Sequence, residues 1–368
     1  MRLRTAIPLA AVLLLVAAAP SGCGDTHARD SAPTLTELIG QKLVVRMRGD
    51  APSAALLARA RSGQIGGVIV HRDNVSSTPE LRAITTRLQQ AAARGGQPPL
   101  LIAVDQEGGP VKAVPWIPPT ISPRQMGALG SGRTALAQGQ RTGAALRGLG
   151  INTDLAPVAD VPVSTESFLY RQGRTWSFSV HTTASLAGWF ALGLGRRSAL
   201  ATAKHFPGLG FATRSTDAFV VRIGATKAAL APGLKPYRTA IADRVPLIML
   251  SNAVYTAYDK RNAAGWSTAI GMTLLRHALG FRGVTITDSL DGAAHARHVG
   301  AAALAIRAAN AGTDLLLLTA SESGSQGVYR SLLRAASGEI SRARLLASYR
   351  RILALKKQLE AQSSPLAP

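Results

Sequence analysis

Short, continuous apolar runs recur along the chain at Lys42–Met47, Gly67–Val70, Leu100–Asp105, Thr153–Val158, Ala199–His205, Pro246–Leu250, Gly283–Asp288 and Asp314–Leu318. Segments rich in Ala, Leu and Arg, with the composition of helices, separate them. Runs that are apolar at every position, alternating with helices, predict parallel strands buried on both faces. Eight such units predict an α/β fold, a (β/α)8 TIM-type barrel in a single domain. A doubly wound sheet would want a Gly-rich phosphate loop after an early strand, and Gly108-Gly109 is only an isolated pair. The barrel is expected over residues 34–360, with 361–368 a tail. Leu35–Gln41 predicts an opening helix capped by Thr34 with Glu37 at its third position. Ile340–Leu359, apolar at helical spacing, predicts a closing helix on the barrel wall.

The first residues follow another pattern. Arg2 and Arg4 precede an apolar run, Ala6–Ala19, and the small residues of Ala19–Gly22 lead to Cys23. This is the layout of an export signal over residues 1–23, and the apolar run is short of the roughly 20 residues that span a bilayer. Cys23 is the sole cysteine, so no intramolecular disulfide can form. Its setting resembles a bacterial lipoprotein cleavage site, although Pro20 stands where such sites carry an aliphatic residue. The expectation is an exported protein, lipidated at Cys23 and so anchored to the membrane, with a simply secreted protein or an uncleaved anchor as the alternatives. The polar, small-residue stretch 24–33 would be its tether.

With 46% hydrophobic and 17% charged residues, the chain can bury a large core. Its 42 Lys and Arg against 20 Asp and Glu give a net +22. The basic residues are scattered and not interleaved with aromatics in any recognised motif, which argues against nucleic acid as a partner. A basic surface suits anionic envelope polymers instead. A monomer is the working expectation.

In a barrel of this kind, functional groups sit at the C-terminal ends of the strands. Those ends carry Asp105, Asp160, the pair Lys204-His205, Ser251-Asn252 and Asp288. Asp105 and Asp288 each close an apolar strand before a loop of small residues that a ligand can approach. Asp154 and Asp160 read as caps or structural acceptors. His71, His181, His277 and His298 read as surface or satisfied core residues. No His/Cys/Asp clustering suggests a metal, and no cofactor is implied.

Four passages in order then carry a resemblance: Asp105-Gln106-Glu107-Gly108-Gly109, the stretch Gly150–Val161, Lys204-His205-Phe206-Pro207-Gly208, and Gly280–Leu290 ending in Thr287-Asp288-Ser289-Leu290. Together they resemble the N-terminal barrel of family 3 glycoside hydrolases, in the branch of single-domain β-N-acetylglucosaminidases (β-N-acetylhexosaminidases). The resemblance implies a retaining exo-glycosidase acting on cell-wall or related oligosaccharides. It implies Asp288 as nucleophile and Asp105, Lys204 and His205 as ligands of sugar hydroxyls. The chain also departs from that branch. Asp217-Ala218-Phe219 stands where an Asp-Ser-His carries the acid/base His, Pro110 replaces an Arg, and Trp176-Ser177-Phe178 replaces a sugar-gripping Arg-Ser-Phe. Arg174 is placed to compensate as a sugar ligand, and either Asp217 or a group from another loop would have to take over as acid/base. Two functions stay open: a working glycosidase, or a catalytically impaired barrel that binds glycans without turnover.

Overall fold

Successive side chains of a strand point to opposite faces, and in this protein both faces are buried. The computed structural model describes residues 32–363. All eight apolar runs form strands: β1 Leu43–Arg46, β2 Gly67–Ile69, β3 Leu101–Val104, β4 Thr153–Asp154, β5 Leu200–Phe206, β6 Leu247–Leu250, β7 Val284–Thr287 and β8 Leu316–Leu318. They pair in parallel in sequence order, and β1 returns to β8 with Val44 opposite Leu317. Between β7 and β8 the ring is completed by one bridge, Ile286 to Leu315. This is a TIM-type barrel.

One set of alternating residues, among them Val44, Ile69, Leu101, Leu200, Met249, Ile286 and Leu317, fills the barrel interior. The other set, including Val45, Val68, Ile102, Ala201, Ile248 and Leu318, packs outward against the helices. Regular pairing in β4 stops at Asp154 although the apolar run continues to Val158; Pro157 has no N–H to give a ladder. The opening helix runs Leu35–Gly40, and Thr34 and Glu37 form its reciprocal cap.

The closing helix, Arg342–Ser363, differs from expectation in where it lies. Its Ile352, Leu355 and Leu359 join the interior cluster, and the helix borders the start of β7 at Val284 and the approach to β4 at Asn152. It therefore crosses the N-terminal end of the barrel as a floor. Hydrophobic spacing specifies which face of a helix is buried, not which surface buries it. Three polar side chains fix it there: Lys356 Nζ donates to Gln41 Oε1 and Gly66 O, Arg351 pairs with Asp314, and Ser348 Oγ accepts from Lys42.

Candidate active site

At the opposite end, the strand termini surround a cavity of about 340 Å³, near the lower limit of ligand pockets. Ile69, Met249 and Leu317, the uppermost interior residues, line it together with Asp105, Glu107, Arg174, Lys204, His205, Asp217 and Asp288. All six chemical candidates read from the sequence thus meet in one place. Cys23 lies outside the described residues.

Lys204 and His205 are neighbours in one strand, and a regular pleat would send them to opposite faces. The pairing of β5 with β6 shifts register between Ala203 and Phe206, and at this irregularity both side chains reach the cavity. Lys204 is buried, and its Nζ donates to Asp105 Oδ1 and contacts Glu107 Oε1, both at 2.6 Å. An ammonium has three N–H donors, so one is left for a ligand. Burial works against the Lys204 charge, but Asp105 and Glu107 outweigh it and raise its pKa.

Glu107 is the group that sequence reasoning passed over. Gln106–Gly108 doubles back in a short hairpin with Val111-Lys112, which turns Glu107 inward to 2% exposure. Arg174 grips it with two parallel bonds, Nε to Oε2 at 2.9 Å and Nη2 to Oε1 at 2.7 Å. Burial alone would raise the pKa of Glu107; Arg174 and Lys204 reverse that and hold it at about 2. Arg174 lines the cavity, but its fork is committed to Glu107 and Nη1 to Gln172, so its observed role is to hold Glu107. Trp176 is a core residue whose Nε1 donates to Val158 O.

Asp160 is fully buried and accepts from the backbone N–H groups of His205 and Leu209 and from Tyr237 Oη. Because it serves as an acceptor throughout, His205 Nδ1, 2.7 Å away, carries the proton between them. With Nδ1 so engaged, Nε2 is the ring nitrogen that faces a ligand. Asp154 is structural as read: Oδ1 accepts from Gln106 N, and burial pushes its pKa well above the carboxylate range.

His71 corrects the sequence reading, which set it aside as an ordinary surface or core histidine. It follows β2 and lines the cavity, and its Nε2 is enclosed with no hydrogen-bond partner among the described residues. Burial lowers its pKa against the pull of Asp105. The strand-end rule that selected Asp105 and Asp288 would have found it.

Asp288 Oδ1 accepts from Ser289 N. Asn252, from the loop after β6, donates to Ser289 O and braces the same turn. Asp217 sits in a turn within the loop after β5; the residue is exposed at the mouth while its carboxyl lies against Gly292, just past Asp288. Desolvation, and next the charge of Asp288, push the Asp217 pKa up to about 7. Phe219 is 42% exposed, with the Arg214 guanidinium stacked 3.4 Å from its ring centroid.

A cavity lined by both carboxylates and cations at the C-terminal mouth of such a barrel suits a carbohydrate site, and the comparison with known families agrees: residues 34–355 match the glycosyl hydrolase family 3 N-terminal domain. The chain belongs to glycosyl hydrolase family 3. It is a glycosidase of the β-N-acetylglucosaminidase-like kind. A protein of Arthroderma benhamiae described as an uncharacterized secreted glycosyl hydrolase is 33% identical over 330 residues, covering 88% of this chain and 93% of that one. A β-hexosaminidase of Methylobacillus flagellatus is 32% identical, covering 71% and 75%. Among solved family 3 structures, the β-N-acetylglucosaminidase from a Paenibacillus species superposes with a TM-score of 0.87 at 29% identity, over 92% of this chain and 65% of its own, longer chain. The β-N-acetylhexosaminidase of Beutenbergia cavernae gives 0.81 at 30% identity, over 89% and 99%.

Proposed function

We propose that this chain is a retaining exo-β-glycosidase of the β-N-acetylhexosaminidase kind, hydrolysing terminal O-glycosidic bonds of cell-wall or related oligosaccharides. Asp288 is the nucleophile and Asp217 the acid/base. The observation that carries this reading is the meeting of the two carboxyls in one small cavity, with Asp217 held at about pKa 7 by burial and by Asp288.

Asp105, the spare Lys204 donor and His205 Nε2 take the hydroxyls of the terminal sugar. Asp288 attacks the anomeric carbon while Asp217 protonates the departing oxygen, and the glycosidic bond breaks. The covalent ester neutralises Asp288 and removes its charge from beside Asp217. The Asp217 pKa then falls, which favours its second task of taking a proton from the water that attacks the anomeric carbon, whose bond to the Asp288 carboxylate breaks to release the sugar and regenerate the free nucleophile. One carboxyl thus serves as acid and then as base, each when its pKa suits the step.

The glycan-binding alternative rests on Phe219 standing in the place of a histidine and on Pro110 and Trp176 in place of arginines; a carboxyl with a raised pKa near Phe219 supports turnover instead. For the first 33 residues we propose export, with Cys23 as the lipid attachment point; the secreted description of the Arthroderma relative agrees with export. The test uses β-N-acetylglucosaminides with leaving groups of graded pKa. Asp288→Ala should abolish hydrolysis of all of them. Asp217→Ala should lower rates about 10²- to 10⁴-fold on poor leaving groups and far less on good ones. Sugar binding without turnover on any substrate would leave the glycan-binding alternative standing.

A further inference from the structure

Gly292 lies in the first turn of the helix Leu290–Ala296, which begins two residues after Asp288. Its backbone is helical, with none of the positive φ that explains Gly108, Gly109 or Gly208. A glycine inside a helix costs about 0.5–1 kcal/mol relative to alanine, so local structure disfavours it here. Space explains it. A Cβ at position 292 would fall 2.6 Å from Asp217 Oδ1 and 2.8 Å from its Cβ and Cγ. The Asp217 side chain therefore rests directly on the bare backbone of the helix that follows the nucleophile. No hydrogen bond holds that carboxyl among the described residues; the nearest anchor is its own N–H, which donates to Ser215 Oγ.

We infer that Gly292 is a positioning residue for proton transfer: the gap it leaves seats Asp217 beside Asp288, and any side chain there would lift Asp217 toward solvent. The inference rests on Asp217 being the acid/base. It ties two segments 75 positions apart into one device, in which the loop supplies the proton donor and the nucleophile's own helix supplies its seat.

The experiment compares Gly292→Ala with the wild type on 2,4-dinitrophenyl and methyl β-N-acetylglucosaminides. Gly327→Ala serves as control, since Gly327 is also helical and nothing lies within 4 Å of a Cβ there. Gly292→Ala should lower kcat/KM about 10²-fold on the methyl glycoside, the scale of an ångström-level misplacement, and change the dinitrophenyl rate little. The alkaline limb of its pH profile should move below about pH 7 as the carboxyl gains water. In an Asp217→Ala background the same substitution should have no further effect. An equal loss on both substrates, or a further loss in that background, would overturn the inference by showing a general distortion. If Asp217→Ala itself leaves the leaving-group dependence unchanged, the acid/base assignment fails first. If Asp217→Ala has its effect and Gly292→Ala has none, the positioning inference alone fails.

Discussion

The two ends of the barrel each bury lysines, and they treat them in opposite ways. At the mouth, Lys204 lies between Asp105 and Glu107, and its charge is reinforced. At the floor, Lys42 donates to Thr313 O and Ser348 Oγ, and Lys356 to Gln41 Oε1 and Gly66 O. All four partners are uncharged. Burial therefore dominates, with Asp314 and Glu360 offsetting it only in part, and both floor lysines fall to about pKa 7. The mouth invests in fixed charge because a polyhydroxylated ligand needs donors and acceptors already held in place. The floor needs only to join a helix to a barrel, and neutral acceptors suffice.

This contrast can be broken at its strongest point first. Lys204→Met should destabilise the protein by about 1.5–3 kcal/mol, because Glu107 keeps the Arg174 fork while both it and Asp105 lose the buried ammonium, and should remove glycosidase activity with it. Chemical denaturation at pH 7 would measure the first; a loss below about 1 kcal/mol would mean that the mouth cluster is far more hydrated than its burial indicates.

The pH dependence of stability sharpens the comparison next. Glu107, with its pKa lowered from 4.5 to about 2, stabilises the fold above the unfolded value, and that contribution should vanish as pH falls through this window. Lys42 and Lys356 act on the alkaline side. Between about pH 7 and 10.5 the unfolded chain binds more protons at these lysines than the folded one, so stability should rise with pH. Lys356→Met should flatten that rise by up to about 1.4 kcal/mol per pH unit. An unaltered slope would remove Lys356 from the account.

The smallest effect concerns the mouth alone. His71→Phe removes one neutral hydrogen-bonding ring from the cavity wall, and KM should rise roughly 2- to 10-fold with kcat nearly constant. Steady-state kinetics on an aryl β-N-acetylglucosaminide would show the split, and a fall in kcat instead would give His71 a part in the chemistry.

Most of the scaffold could be read from the chain because it is written in short range: a buried parallel strand is apolar at every position, and Thr34 lies three residues from Glu37. Asp105, Lys204, His205 and Asp288 were legible because each ends such a strand. What escaped depends on contacts between distant segments. Nothing local announces that Glu107 will be clamped by Arg174, that the helix after Arg342 will lie under the barrel, or that Gly292 will seat a carboxyl from residue 217. His71 is a different case, since its strand-end position was visible and a histidine's many ordinary roles obscured it.

The floor helix carries one more consequence. The barrel's seam joins residues 43–46 to 316–318, and its interior stays open below until Ile352, Leu355 and Leu359 arrive. Contacts of such sequence separation form slowly. Until these residues are in place, the chain has neither a closed ring nor a sealed core. The export proposed above fits such a structure, because the fold is incomplete until the helix Arg342–Ser363 is in place.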